Sequence, residues 1–354
     1  MRVVCFSSFT FSYLNRARVL FRSLRKHQPH WKLVALITDL PRASFEFAPE
    51  LEPFDSVVYA HELGIRGFKS WLFKHDVVEA CTAVKGPFMR EACADGADAV
   101  IYLDPDTCVF NSLHPIEEML ETWDIILTPH TFTPETDLDA IGDNEIGPMQ
   151  TGIYNLGFLA VRARGEGPRF ADWWAKRLLA FCYNDIPQGL FVDQRWCDHV
   201  PSFFENVKIL RDPGYNVASW NLSTRKIAIG RDGSVTVNDS PLRFWHFTKL
   251  GPIADAMTRK YGRDNFPVYE IWNWYKREVE RASQPPVPSD YWAYAAFDDG
   301  TTIERRHRLL YRANPNLQEL FPEPFLAGPG TYCEWLQRDG LVHIERLAAV
   351  EALA

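Results

Sequence analysis

Asp104 and Asp106 stand two residues apart at the end of the apolar run Ala99 to Leu103, with Pro105 between them. Residues two apart in an extended segment point to the same side, so the two carboxylates converge on one small volume. Each raises the cost of ionising the other unless positive charge lies between them. Pro105 removes a backbone donor and biases Asp104 to extended geometry, which marks the end of the strand. Hard carboxylate oxygens so placed suit Mg²⁺ or Mn²⁺, ions that bridge protein carboxylates to substrate phosphates. Asp-x-Asp alone is a short and common pattern, and its alternative is a loop in which both acids cap turns. The apolar strand leading into it favours the cation.

His246 is the next candidate. In "LRFWHFT" its neighbours are aromatic on both faces, so the imidazole is expected at or near a core. Mn²⁺ accepts one imidazole among oxygens, and a histidine from a distant strand closes such a shell; a satisfied core histidine is the alternative. Lys249, three residues on in a Gly-Pro-containing turn, is placed to meet phosphate charge unless it is an ordinary exposed lysine.

These residues need a frame that holds them. "RVVCFSS" reads as a first strand, followed by a helix with Leu14, Ala17, Leu20, Phe21 and Leu24 at helical spacing and Arg16, Arg18, Arg22, Arg25 and Lys26 largely opposite. That basic face reads most simply as solvated surface. Lys32 to Thr38 and "SVVYA" give two further strands. A helical stretch from about Phe68 to Ala94 leads into the Asp-Pro-Asp strand, and "TWDIILTP" supplies another. Strands alternating with helices predict a mostly parallel sheet covered on both faces, with ligands beyond the carboxyl ends of its strands. Later, "TGIYNLGFLAVRA" reads as a turn into a strand and "GLFVDQRWCDHVPSFF" as a helix ending before Pro201. "KIAIGRDGSVTV" reads as a hairpin, and a helix near Phe266 to Arg281 precedes the proline-rich "SQPPVPSD".

A chain of 354 residues can bury a large core. Its formal charge of -8 argues against a nucleic-acid partner, because binding to phosphate backbones needs a basic face. The 12 Trp, 13 Tyr and 24 Phe suit flat apolar sites for bases or sugars, and core packing accounts for them equally well. Seven cysteines form no C-x-x-C pair, as expected of reduced thiols in the cytosol. The opening residues lack a signal-peptide pattern and no later stretch approaches a transmembrane length. The expected location is cytoplasmic, with the inner membrane face as a peripheral alternative.

Four segments in this order carry a family resemblance: "SSFTFSYLNRARVLFRSL", "VIYLDPDTCVF", "YNLGFLAVR" with "FVDQRWCDHVP", and "FWHFTKLGP". The chain resembles the GT-A nucleotide-sugar glycosyltransferases, and within them looks most like the retaining family-8 type and related bacterial enzymes of surface-polysaccharide assembly. The resemblance covers roughly residues 1–252. It implies an α/β GT-A fold, Rossmann-like, with a catalytic domain over 1–255, its donor-binding part about 1–110 and its acceptor side about 111–255. A C-terminal helical extension over 256–354, with the proline-rich linker near 284–289, would complete the chain.

By the same resemblance, Asp104, Asp106 and His246 hold the divalent ion (Mn²⁺ or Mg²⁺) against the donor diphosphate, and Lys85 contacts the donor. Asn155 offers an amide to the donor sugar, and Asp193 and Gln194 lie beneath it. Ser7, Ser8, Thr38 and Asp39 frame the nucleoside. One position departs from the family: its late histidine is followed by glycine third and lysine sixth, whereas here Lys249 is third and Pro252 sixth. Either Lys249 takes over the phosphate contact, or the chain belongs to a neighbouring family.

The expected activity is transfer of a sugar, most simply from a UDP-sugar, to a hydroxyl of a saccharide, lipid-linked saccharide or protein. A retaining reaction needs no strong base opposite the leaving group; an inverting one needs a carboxylate, and Asp193 is the candidate. A sugar-nucleotide-forming nucleotidyltransferase is an alternative, but "CFSSFTFSYLN" lacks the glycine-rich phosphate loop expected there. A non-catalytic carbohydrate- or partner-binding module would leave the paired acids and the histidine without a common purpose.

Overall fold

The computed structural model describes residues 1–41, 45, 47–284 and 286–340; Pro285 of the expected linker and residues 341–354 of the expected extension lie outside these. The strands that frame the site are β1 (Val3–Phe9), β2 (Lys32–Ile37), β3 (Ser56–Tyr59), β4 (Ala99–Leu103), β5 (Thr107–Val109), β6 (Ile125–Pro129) and β7 (Tyr154–Arg162). Among the described residues the central sheet has seven strands, ordered Val207–Ile209, β6, β7, β4, β1, β2, β3. All run parallel except β7, which is antiparallel to both β4 and β6. The fold is therefore α/β with a mostly parallel sheet, as the order of elements predicted.

Both faces of the sheet are covered, which is why its strands read as near-continuous apolar runs. Along β1, Phe6 joins the core on one face, while Val3, Cys5 and Phe9 join the core on the other. The helix Leu14–His27 buries the five apolar residues expected of it. Arg18, on its supposedly solvated face, is buried instead: it meets Glu52 at 2.6 Å and donates to the Ala282 carbonyl at 2.8 Å, tying this helix to the end of the helix Phe266–Ala282.

The stretch expected as one helix from Phe68 is three, Phe68–Phe73, Val77–Ala83 and Lys85–Ala94. Asp76 and Glu79 form a reciprocal capping box that starts the second one afresh. The third packs closely on the helix Gly167–Phe181, since a Cβ on Gly86 would lie 2.7 Å from the Ala175 Cα. Near Pro201 the chain forms a short 3₁₀ turn, Arg195–His199, and a helix Val200–Phe203. Pro201 sits inside that helix rather than ending it, because a first turn needs no amide from it. The predicted hairpin is present as Ile227–Ile229 against Val235–Val237.

Beyond the proline-rich segment the chain returns to the sheet. Trp292 enters the core beside β1 and β2 residues and its indole donates to the Thr38 carbonyl at 2.9 Å. Arg308 is buried, donates to the carbonyls of Phe73, His75 and Tyr294, and lies over the rings of Phe73 and Trp292.

Candidate active site

β4 and β6 end at one edge of the sheet, and the reversed β7 begins there. Asp104, His130 and Asn155 are thereby gathered from three strands. Residues 104–107 form a tight turn closed by the Thr107 amide on the Asp104 carbonyl at 3.0 Å, with Pro105 at the position its fixed φ suits. The two carboxylates thus converge through a turn, not through the extended segment that their spacing suggested. β5 then pairs antiparallel with Phe244–His246, setting His246 opposite Thr107. The His246 Nε2 lies 3.1 Å from Asp106 Oδ1 and 3.4 Å from Asp104 Oδ2. One potential ligand atom from each of the three residues lies within 4.8 Å of the others.

The donor set fits a divalent cation, and the reason lies behind His246. The Gly157 amide donates to Asn155 Oδ1 at 3.0 Å, which fixes the orientation of that side-chain amide. With its oxygen facing His246 Nδ1 at 3.2 Å, the imidazole must carry its proton on Nδ1. Nε2 then turns a lone pair toward the two aspartates, an arrangement that calls for a proton or a metal ion between them. Asn155 Nδ2 in turn meets His130 Nε2 at 3.2 Å, and His130 Nδ1 meets the Ile153 carbonyl at 3.1 Å. Burial pulls His130 down to about 4, so it is neutral and accepts from Asn155. A Cβ on Gly157 would lie 2.5 Å from the His246 ring and 2.7 Å from Asn155 Oδ1, so only glycine admits this approach.

Charge is balanced locally. Burial works against the charged form of His246, but Asp106 and Asp104 beside it raise its affinity for a proton overall. Burial also opposes ionisation of Asp106, yet the neighbouring His246 holds its carboxyl below the ordinary range. Lys85 is buried at the start of its helix, 2.7 Å from Asp193 Oδ2 and 3.3 Å from Asp104 Oδ1, and lies over the Tyr102 ring at 4.1 Å. Burial disfavours its charge, but the two aspartates hold it above the ordinary lysine range. Tyr102 donates its hydroxyl to the same Asp104 oxygen at 2.5 Å. Asp104 therefore has Oδ1 committed to Lys85 and Tyr102, and Oδ2 facing His246. At Asp193 burial outweighs Lys85 and shifts the carboxyl upward.

These groups line a cavity of about 580 Å³. Ser8, Lys85, Asp104, Asp106, Asn155, Asp193, Gln194, His246 and Lys249 all reach it; Ser7, Thr38 and Asp39 do not. Thr38 and Asp39 lie under the C-terminal segment, where the Asp39 carboxylate accepts from the amides of Phe11, Leu40 and Ala293. Ser7 is fully buried. Ser8 is buried in the cavity wall, its hydroxyl donating to the Cys81 carbonyl at 2.7 Å. Gln194 donates to the Thr151 carbonyl at 2.9 Å, and Lys249 is exposed in a turn with φ of 53°.

The residues missed by sequence reasoning are His130, Tyr102 and Gly157. His130 follows Pro129 at the carboxyl end of a strand, the same signal that singled out Asp104. The other two had none, because a glycine within a strand and a tyrosine in a core run are common.

No family model matches the chain. Two curated proteins of Bacillus subtilis (strain 168), both described as uncharacterized, are similar to it. YfnF is 28% identical over 178 residues, 49% of this chain, and YfnD is 25% identical over 254 residues, 68% of this chain and 78% of that one. The match spans only 57% of the length of YfnF. Among solved structures the chain is similar to the galactosyltransferase LgtC in complex with donor and acceptor sugar analogues, at 14% identity and a TM-score of 0.46 over 79% of this chain and 95% of that one. It is also similar to mouse xyloside xylosyltransferase 1, at 14% identity and a TM-score of 0.39 over 71% and 98%. The glycosyltransferase GlyE of Streptococcus pneumoniae TIGR4 aligns at 14% and 0.40 over 84% and 66%. Among the described residues no helix is long and apolar enough to cross a membrane.

Proposed function

We propose that the protein is a metal-dependent glycosyltransferase of the GT-A type, moving a sugar from a nucleotide diphosphate, with UDP favoured, to a hydroxyl acceptor in bacterial polysaccharide or glycoconjugate assembly. The observation that carries this reading is the trio Asp104, Asp106 and His246, held with Nε2 open toward two carboxylates at the wall of a sugar-nucleotide-sized cavity. Mn²⁺ or Mg²⁺ bound there would neutralise charge developing on a leaving diphosphate. Asp104 Oδ2, Asp106 Oδ1 and His246 Nε2 would be its protein ligands. Exposed Lys249, at the cavity mouth, is positioned to meet the same phosphates.

Asp193 bears on the stereochemical course. It is buried and ion-paired with Lys85, which disfavours it as the base that deprotonates an acceptor. The bond from the sugar's anomeric carbon to the diphosphate oxygen then breaks as the bond to the acceptor oxygen forms, and the acceptor proton passes to the departing phosphate on the same face. Configuration is retained. The Asp193–Lys85 pair and Gln194 line the cavity where positive charge would build on the sugar.

The test is a thermal-shift panel of UDP-, GDP-, dTDP- and CMP-sugars, each with and without Mn²⁺. A ligand at ~100 times its dissociation constant stabilises the native state by about 2.7 kcal/mol. A Mn²⁺-dependent rise for one nucleotide, absent in Asp106→Asn, supports the proposal; no shift with any donor rejects it. Proton NMR of the product anomer then tests retention.

A further inference from the structure

A second cavity, of about 370 Å³, shares no lining residue with the one at the candidate metal site. The helix Leu14–His27 contributes Arg22, Lys26 and His27, the segment after β5 contributes Phe110, and the helix Phe266–Ala282 contributes Trp274 and Glu278. The hairpin turn at 233–235 completes the wall. Four separate elements thus enclose a space shared by cations and aromatic rings.

The charges on this helix are not treated alike. Arg18 meets Glu52 and Arg25 meets Asp55, each at 2.6 Å, and Arg16 lies over the Tyr13 ring. Arg22 and Lys26 line the cavity and make no ion pair or hydrogen bond among the described residues. They stand four apart, where like charges on a helix repel. Glu278, the acid in the cavity wall, is paired with Arg281 of its own helix at 2.6 Å. In a chain of net charge -8, two adjacent uncompensated cations at the mouth of a cavity mark a place for an anion. The wall behind them is aromatic: Trp274 and Phe110 contact each other with ring centroids 5.4 Å apart. Aromatic faces pack against the C–H faces of pyranose rings, and the volume accommodates one or two sugar units.

We propose that this cavity is a second saccharide site that binds an anionic sugar, its carboxylate or phosphate on Arg22 and Lys26 and its ring against Trp274. The site is distinct from the candidate active site and does not depend on the activity proposed above. Glucuronate and glucose 1-phosphate represent the two sources of charge, with glucose and inorganic phosphate as probes of the ring alone and the anion alone.

Titration calorimetry of the full chain with these four probes tests the proposal, using the wild type, Arg22→Ala/Lys26→Ala and Asp106→Asn. Both replaced cations are exposed, so the double variant is expected to fold, and an unchanged melting temperature checks this. The expected result is binding of glucuronate, glucose 1-phosphate or both, at least tenfold weaker in Arg22→Ala/Lys26→Ala and unchanged in Asp106→Asn. Trp274→Ala should weaken the sugar anions while leaving inorganic phosphate unaffected. Binding lost in Asp106→Asn but kept in the double variant would place the sugar in the main cavity and overturn the proposal. So would binding of neither sugar anion, or inorganic phosphate binding as tightly as glucose 1-phosphate. The sugar that binds identifies carboxylate or phosphate as the recognised group.

Discussion

Replacing Gly157 by alanine tests the site with a single methyl group. The new Cβ would stand 2.5 Å from both Cε1 and Nδ1 of His246, and 2.7 Å from Asn155 Oδ1. Ordinary contact requires the imidazole to retreat by roughly 1 Å, whereas metal–ligand distances tolerate only about 0.2 Å. His246 is then lost as a ligand, and its Nδ1 loses the acceptor that fixed its tautomer. Disturbing groups that orient a ligand costs about 10- to 100-fold in metal affinity, so displacing the ligand itself is expected to cost about 100-fold or more, some 2.8 kcal/mol. Overpacking adds ~1–3 kcal/mol of instability. Electron paramagnetic resonance of free Mn²⁺ measures the affinity, with circular dichroism and the melting temperature to establish that the variant is folded. Asn155→Ala approaches the same bond from the opposite direction, opening space instead of closing it, and should weaken Mn²⁺ by about 10- to 100-fold. If folded Gly157→Ala binds Mn²⁺ within twofold of the wild type, the assignment of His246 as a ligand is wrong.

Lys85→Met leaves Asp104 and Asp193 without their buried cation and should destabilise the protein by about 3–5 kcal/mol, read by urea denaturation; a loss below 1 kcal/mol would contradict the pairing. Because Nε2 of His246 must release its proton to bind a metal, Mn²⁺ affinity should rise with pH, about tenfold per unit, until pH exceeds the elevated value of that imidazole, and then level off. In the metal-free protein the charged His246 contributes stability that is full below the ordinary histidine range and fades as pH rises through its raised value, so a pH series of melting temperatures without metal checks the sign. Trp292→Ala removes a core side chain and its bond to the Thr38 carbonyl and should cost about 3–5 kcal/mol. A chain truncated after Gln284 should likewise melt lower than the full chain; an unaltered melting temperature would make the C-terminal segment a dispensable appendage.

The sequence by itself determined the class of the sheet and brought Asp104, Asp106 and His246 forward as one candidate cation site. Apolar runs alternating with amphipathic helices specify a covered, mostly parallel sheet, and an acid pair beyond a strand end points to the edge where such sheets carry ligands. Local periodicity also placed the first helix and the late hairpin, since each depends on neighbours within a few residues. Tertiary structure decided the rest. β7 is buried along all but its two end residues and its sequence gives no sign of its direction, yet its reversal is what brings Asn155 and Gly157 behind His246. Arg18 reads as a surface cation because its partner, Glu52, is distant in the chain, and Lys85, expected to contact the donor, gives no local sign of its pairing with Asp104 and Asp193; packing alone made both buried ion pairs. Thr38 and Asp39 stand at a strand end as expected of nucleoside contacts, but the returning segment at Trp292 and Ala293 covers them. Long-range closure of this kind leaves no local pattern, because either side of the contact would look the same if the other were absent.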